Sequence, residues 1–367
     1  MTLYGKGYYM WQLPHCDGGI PENIANRVKN AGLSHVLIKI ADGPNWKYNY
    51  DYQTKTDLIP PVANALREIG VQVWGWHYIR GDDPLGEARI AVNRMTELAL
   101  DGYTMDPEWE YKAPGKDAAA RAYLEELRSG LRNTPVALST YRFPKWHPEF
   151  PFVDFLRGCD INMPQVYFEG AHNPEHQINL CVQQYMEIQP ALPIIPTVST
   201  YASDTWRPTA DEITRFLQHA KSLGLTAVNA WSYDFATNRY YLDLFNAVAD
   251  FPWPPAPPVA DIPEQVIGKL NQHDATRLSE LYQDNAAHVT GARTVVGKTA
   301  VQQWYEILLT DLLPQGQFQL TGKSGLGSSR HFTWTAQSPK GEVLDGKDTL
   351  GIRDGLIQYH YTYFTVH

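Results

Sequence analysis

The chain has 367 residues, 43% hydrophobic and 19% charged, enough apolar material for one large domain and a smaller one and too much for a disordered chain. A formal net charge of −9 leaves no basic footprint for DNA, RNA or an anionic membrane, so a small or uncharged partner is expected. Cys16, Cys159 and Cys181 are widely spaced and lack Cys-x-x-Cys or Cys/His ligand patterns, so buried free thiols are expected, with no disulfide framework and no metal site.

The opening MTLYGKGYYMWQLP lacks the basic start and unbroken apolar run of a secretory signal, and no later stretch is long enough to span a bilayer. A cytoplasmic protein is expected, or one released without such a signal. Through residue 251, short apolar runs alternate with stretches whose apolar residues recur at helical spacing. The runs start at Gly7, His35, Val71, Gly102, Pro135, Ile161, Pro193 and Ala227, and each reads as a strand. Between them Ile24, Val28 and Ala31 share one helical face, as do Val62, Leu66 and Ile69, then Tyr123, Leu127 and Leu131, then Ile213, Leu217 and Ala220. Pro21, Pro84 and Pro174 mark helix starts, while Gly32, Gly70 and Gly224 mark left-handed caps after helices.

Eight such units over residues 1–251 predict an α/β domain of the (β/α)8 TIM barrel type. The alternative, a doubly wound open sheet, would announce a Gly-rich phosphate turn after its first strand, where this chain reads QLPHCDGG. Residues 252–263 are dense in proline and read as an extended linker. Residues 264–367 begin with a helical pattern, Val266, Leu270, Leu278 and Leu281, and end in strand-like alternation, HFTWTA, DTLGIRDG and LIQYHYTYFTV. This second domain is predicted to be α+β.

The stretch GYTMDPEWE places Asp106, Glu108 and Glu110 on alternate positions at the end of the fourth run. In a barrel, chemistry gathers at the C-terminal ends of the strands, and Pro107 fits a strand exit because it donates nothing to the ladder. Period-two geometry points the three acids to one side, the mouth. Two close, partly desolvated carboxyls take unequal pKa values, which yields the acid and the base that glycoside hydrolysis needs. A structural alternative is an acidic loop edge paired with Lys39 or Arg142. The other strand ends supply a ring suited to a polyol: Lys39 and Asp42, His77 and Tyr78, Tyr141 and Arg142, Gln165 and Tyr167, Thr200 and Tyr201, then Trp231, Tyr233 and Asp234. Trp46, Trp76, Trp109, Trp146 and Trp231 add flat faces for sugar C–H surfaces, or ordinary packing.

In order, HVLIKIADG, VQVWGWHYI and MDPEWE resemble the lysozyme-type glycoside hydrolase family 25 and its looser relatives among barrel hydrolases. The likeness covers about the first half of the barrel. It implies Glu108 as the general acid and Asp106 as the partner that steadies positive charge or orients the substrate. It also implies that Asp234 matches an acidic position on the family's last strand. The family's first strand carries an Asp that GYYMWQLP lacks, with Asp17 in the following loop as its substitute. From Glu264 onward the chain resembles the SnoaL-like, nuclear transport factor 2-like cone fold, with a first helix, Asp274, a Leu-Tyr pair, a turn and a Gly-Lys-containing second helix. That resemblance implies ligand binding or a homodimer, with His331, Asp345 and His360 as candidate pocket residues. The sequence therefore supports a glycoside hydrolase that needs no cofactor and acts on a poly- or oligosaccharide. The alternatives are a silent glycan-binding scaffold dimerising through the second domain, and small-molecule chemistry in that domain.

Overall fold

The computed structural model describes residues 3–253, 261–325 and 327–367, and the chain divides into two compact units, Met1–Ala256 and Pro257–His367. The middle of the proline-rich segment, 254–260, lies outside the described residues. Its ends belong to the units: the Trp253 indole donates to the Thr226 carbonyl at 3.1 Å, and Ile262 and Pro263 already form the first turn of the helix Ile262–Asn271. Asp261 caps that helix reciprocally with Glu264.

All eight apolar runs of the first unit become strands: Gly5–Met10, His35–Asp42, Gln72–Ile79, Gly102–Pro107, Val136–Leu138, a sixth split into Ile161–Asn162 and Gln165–Val166, then Thr197–Ser199 and Ala227–Trp231. They pair in parallel, each beside its chain neighbour, and the first also pairs with the eighth. The two ends of this path are the two halves of the sixth run, one against the fifth strand and the other against the seventh. Pro164, which has no N–H to give, sits in the split, but its carbonyl still accepts from Thr197 at 2.8 Å. The helices start at Pro21, Pro84 and Pro174, and Gly32, Gly70 and Gly224 turn through positive φ after helices. No described helix is long and apolar enough to cross a membrane.

Alternation sorts the side chains into two layers. Tyr8, Val36, Val73, Met105 and Val228 face the helices, whereas Tyr9, Leu37, Trp74, Ile161, Ile195 and Ala227 meet on the inner side in one cluster. Residues from strands so far apart in the path touch because the sheet is strongly curled. Close packing there depends on glycines set in register against rings: Gly7 lies opposite His35, and Gly102 opposite Trp74. A Cβ at either position would run into the facing ring. All three cysteines are free and buried.

The second unit is a six-stranded sheet, mostly antiparallel, with the helices Ile262–Asn271, Ala275–Ser279 and Lys298–Ile307 packed on one face. Asp274 caps the second of these, accepting from the Arg277 N–H at 3.0 Å. Between the Leu-Tyr pair and the Gly-Lys-containing helix the chain forms the strand Tyr282–Val289, and an irregularity in its pairing between Tyr282 and Ala287 absorbs the polar Asp284 and Asn285.

Gly102→Ala is expected to destabilise the first unit by about 1–3 kcal/mol, because the added methyl must displace the Trp74 ring within a close-packed layer. Urea unfolding checks this, and an unchanged midpoint would show that the ring moves freely.

Candidate functional site at the C-terminal ends of the strands

Asp106 is the last inward-facing residue of its strand, two positions after Thr104. The strand stops at Pro107, so the three acids do not lie on one strand as alternation suggested: Glu108 precedes the short helical turn Trp109–Lys112, and Glu110 lies within it. Proline cannot extend the ladder, and its carbonyl accepts from the Thr140 hydroxyl at 2.7 Å as the chain leaves the sheet.

Asp106 and Glu108 nevertheless converge. The amide nitrogen of Gln165, from the sixth run, donates to Asp106 Oδ1 at 2.8 Å and to Glu108 Oε1 at 3.2 Å, reaching past the intervening fifth strand. Two oxygens held by one nitrogen cannot be further apart than those distances together, so the two carboxyls crowd one another. Burial raises Asp106 well above the usual carboxylate range, the charge of Glu108 adds to the rise, and Lys39 opposes it. Glu108 is also raised, first by burial and further by Glu110, against the Gln165 bond and the Lys39 charge. Among the described residues no Lys or Arg forms an ion pair with either carboxyl. Arg142, offered by the sequence as a partner for the acids, instead donates to the Tyr167 carbonyl.

Lys39 is occupied elsewhere. Its ammonium donates to Asp42 at 2.7 Å and lies 4.2 Å from the Tyr48 ring centre and 4.8 Å from that of Trp76. Arg80 takes the other oxygen of Asp42 at 2.5 Å and approaches Glu110 at 3.7 Å, while Tyr78 donates to Glu110 at 2.9 Å. Burial pulls Asp42 upward, but the bonds from Lys39 and Arg80 prevail and hold it below its ordinary value. This chain of charges is internally satisfied and walls one side of the mouth. Tyr141 and Tyr167 complete the opposite side: burial raises both phenols and the acids add to the rise, so they stay neutral and able to donate.

Trp231 stacks on Trp11, ring centres 6.4 Å apart, and meets Trp76 edge to face at 5.3 Å. Beyond it Asp234, raised by burial, accepts from the Trp11 backbone at 3.2 Å and borders a cavity of about 440 Å³ shared with His15, Tyr201 and Phe235. Asp17 is no substitute for a first-strand acid, because Arg27 at 2.6 Å and the Tyr233 hydroxyl at 2.6 Å already hold it.

His77 does not join the site. Its neighbours Trp76 and Tyr78 face inward, so alternation turns the imidazole toward the helices, fully buried. Its ring nitrogens lie 2.9 Å from the Gly43 carbonyl and 3.1 Å from the Tyr103 hydroxyl, and burial pushes its pKa down to about 4. The structure thus brings together Asp106, Glu108, Glu110, Lys39, Asp42, Gln165, Tyr141 and Tyr167, with Trp231 and Asp234 on the flank. Sequence reasoning missed Tyr9, Trp11 and Arg80, although counting by twos from Tyr78 or along the first strand reaches all three.

In the second unit only one of the three candidate pocket residues is interior. His360 Nε2 lies 3.0 Å from Asp348, and its Nδ1 lies 2.5 Å from the Tyr282 hydroxyl. His331 is on the exposed face beside Thr349, and Asp345 accepts from Thr365 near the chain end. Among the described residues no group of three His, Cys, Asp or Glu side chains is arranged to hold a metal ion.

No family model matches this chain. No curated protein matches it. Solved structures similar to it include a SnoaL-like family protein from Agrobacterium tumefaciens, 22% identical over 28% of this chain and 94% of that one, TM-score 0.26. Also similar are an NTF2-like protein of unknown function from Cytophaga hutchinsonii, 11% identical over 28% and 84%, TM-score 0.24, and a de novo designed protein with curved β-sheet, 15% identical over 28% and 80%, TM-score 0.25.

Asp106→Asn keeps an acceptor for Gln165 and removes a crowded carboxyl, so it should stabilise the fold. The folded-state pKa lies above the unfolded one, so the folded parent binds the extra proton and loses stability as pH rises between the two values. The gain in the variant should be small near the unfolded value, at pH ~4, and grow as pH rises above it. Thermal melts across that range test this, and a gain independent of pH would show that the carboxyl is not crowded.

Proposed function

We propose that the first unit is a glycoside hydrolase on a complete (β/α)8 barrel, closed through the split sixth strand, and that it acts on a poly- or oligosaccharide. The observation that carries this reading is the convergence of Asp106 and Glu108 on the Gln165 amide, with no Lys or Arg among the described residues ion-paired to either one. Glu108, nearer the opening and raised by burial, delivers a proton to the glycosidic oxygen as the bond from that oxygen to the anomeric carbon breaks. Asp106, beneath it and raised by burial and by the charge of Glu108, orients the substrate at that carbon. The Glu108 carboxylate then takes a proton from the incoming water, the exchange of roles that retaining sites use. Tyr141, Tyr167 and the Tyr78–Glu110 pair supply hydrogen bonds to sugar hydroxyls, and Trp231 supplies a stacking face.

Glu108→Gln keeps the shape and removes the acid. With chitin, peptidoglycan and plant glycan oligosaccharides as substrates, it should release new reducing ends roughly 10³-fold more slowly than the parent. Binding, followed by tryptophan fluorescence, should stay within a few-fold. Cleavage by the variant at the parental rate would end the assignment.

For the second unit we propose an NTF2-like module that pairs with a second copy of the chain, the role it would keep if the barrel were only a silent glycan-binding scaffold. Tyr359, Tyr361 and Tyr363 alternate along its last strand and are all exposed, while His360 and Thr362 between them face the interior. Three adjacent phenol rings on one open sheet face favour burial against another surface. In sedimentation velocity the parent should run as a dimer, and Tyr361→Asp should shift it to monomer with the melting temperature of the monomer retained. A monomeric parent would refute the pairing.

A further inference from the structure

The exposed tryptophans are not scattered over the surface. Among the described residues four are exposed, Trp11, Trp46, Trp109 and Trp146, and all four belong to the first unit, where Trp74, Trp76 and Trp206 are buried. Each exposed ring stands on a segment leaving the C-terminal end of a strand. Trp11 follows Met10, Trp46 pairs with Asp42, Trp109 follows Glu108, and Trp146 ends a turn shortly after Tyr141. Because the strands are parallel, all four lie on the edge of the sheet where the carboxyls converge.

Exposed indoles contribute little to folding, since each large ring stabilises through the area it removes from water. Three of these rings are braced as well: Trp46 against Tyr52 at 4.7 Å, Trp146 against Phe143 at 4.6 Å, and Trp11 against Trp231 at 6.4 Å. A ring supported on one side and open on the other is a preformed stacking surface.

We propose that this rim is a docking platform for a polymer, an uncharged β-1,4-linked polysaccharide laid across the mouth so that an internal linkage reaches Glu108. The proposal rests on the hydrolase reading for its catalytic half and on the tryptophans alone for its binding half. Flat chains of equatorial sugars present C–H faces that match indole. A short oligosaccharide seated at Tyr141, Tyr167 and Trp231 has no use for platforms on four separate loops, whereas a chain running on past the acids does. Charge selects against polyanions: the chain carries a net charge of −9, and the cations at the opening, Lys39 and Arg80, are already taken by Asp42 and Glu110.

The test uses the full chain with two readouts: co-sedimentation with insoluble chitin and cellulose, and release of reducing ends from soluble tetra- and pentasaccharides of the same sugars. The expected result is that the parent co-sediments with at least one polymer, and that Trp109→Ala combined with Trp146→Ala weakens this about tenfold or more while turnover of the soluble substrates changes less than about twofold. Glu108→Gln should bind the polymer as the parent does. A parent that cleaves oligosaccharides but does not co-sediment, or a double variant that binds the polymer undiminished, overturns the platform and leaves the hydrolase reading standing. A parent whose polymer binding depends on the tryptophans but which cleaves nothing supports the platform and overturns the hydrolase reading.

Discussion

One amide nitrogen holds two acids together in a place where they repel. The bonds from Gln165 to Asp106 and Glu108 cross from the sixth run to the fourth strand, so they exist only if the sheet curls enough to bring those ends face to face. Burial makes charge on either carboxyl costly, and a neutral donor relieves that cost without discharging the pair, as a lysine or arginine would do. The rest of the mouth follows from keeping cations away from these two groups. Lys39 is drawn to Asp42, and Arg80 is shared between Asp42 and Glu110.

The arrangement has a stability cost of the kind often found where chemistry is done. Beneath the acids the inner layer is apolar and tightly filled, with Tyr9, Trp74, Trp76 and Met163 supporting the floor and the Trp76 indole tied to the Met10 carbonyl at 3.2 Å. On the outer side His77, Tyr103 and Tyr123 form a buried line of rings and hydroxyls between sheet and helices. His77 and Tyr78 are adjacent in sequence, yet they serve opposite faces of one strand, His77 the helix layer and Tyr78 the mouth.

Much of this was legible in the chain. Apolar runs bounded by Gly and Pro marked all eight strands of the first unit, and Pro21, Pro84 and Pro174 marked helix starts, because these signals are local backbone chemistry. Asp106 stood out because acids on alternate positions break the pattern of a core strand. Residue type alone leaves His77 open between the mouth and a satisfied structural histidine, and parity along its strand decides for the latter, while Pro107 ends the strand before Glu110. In the second unit Tyr282–Val289 hid its strand, since Asp284 and Asn285 resemble a turn until an irregular pairing accommodates them.

What the sequence determined by itself was therefore the order of elements, the face each strand residue would take, and the presence of closely spaced acids at a strand exit. These follow from propensity and from periods of two and 3.6, which act over a few residues. Only the tertiary structure decided partners: that Gln165 rather than Arg142 meets the acids, that Asp17 goes to Arg27 and Tyr233, and that the exposed tryptophans share one edge. The Gln165–Asp106 and Tyr233–Asp17 contacts join residues 59 and 216 positions apart, and curling of the sheet, which no local pattern encodes residue by residue, brings them within hydrogen-bonding distance.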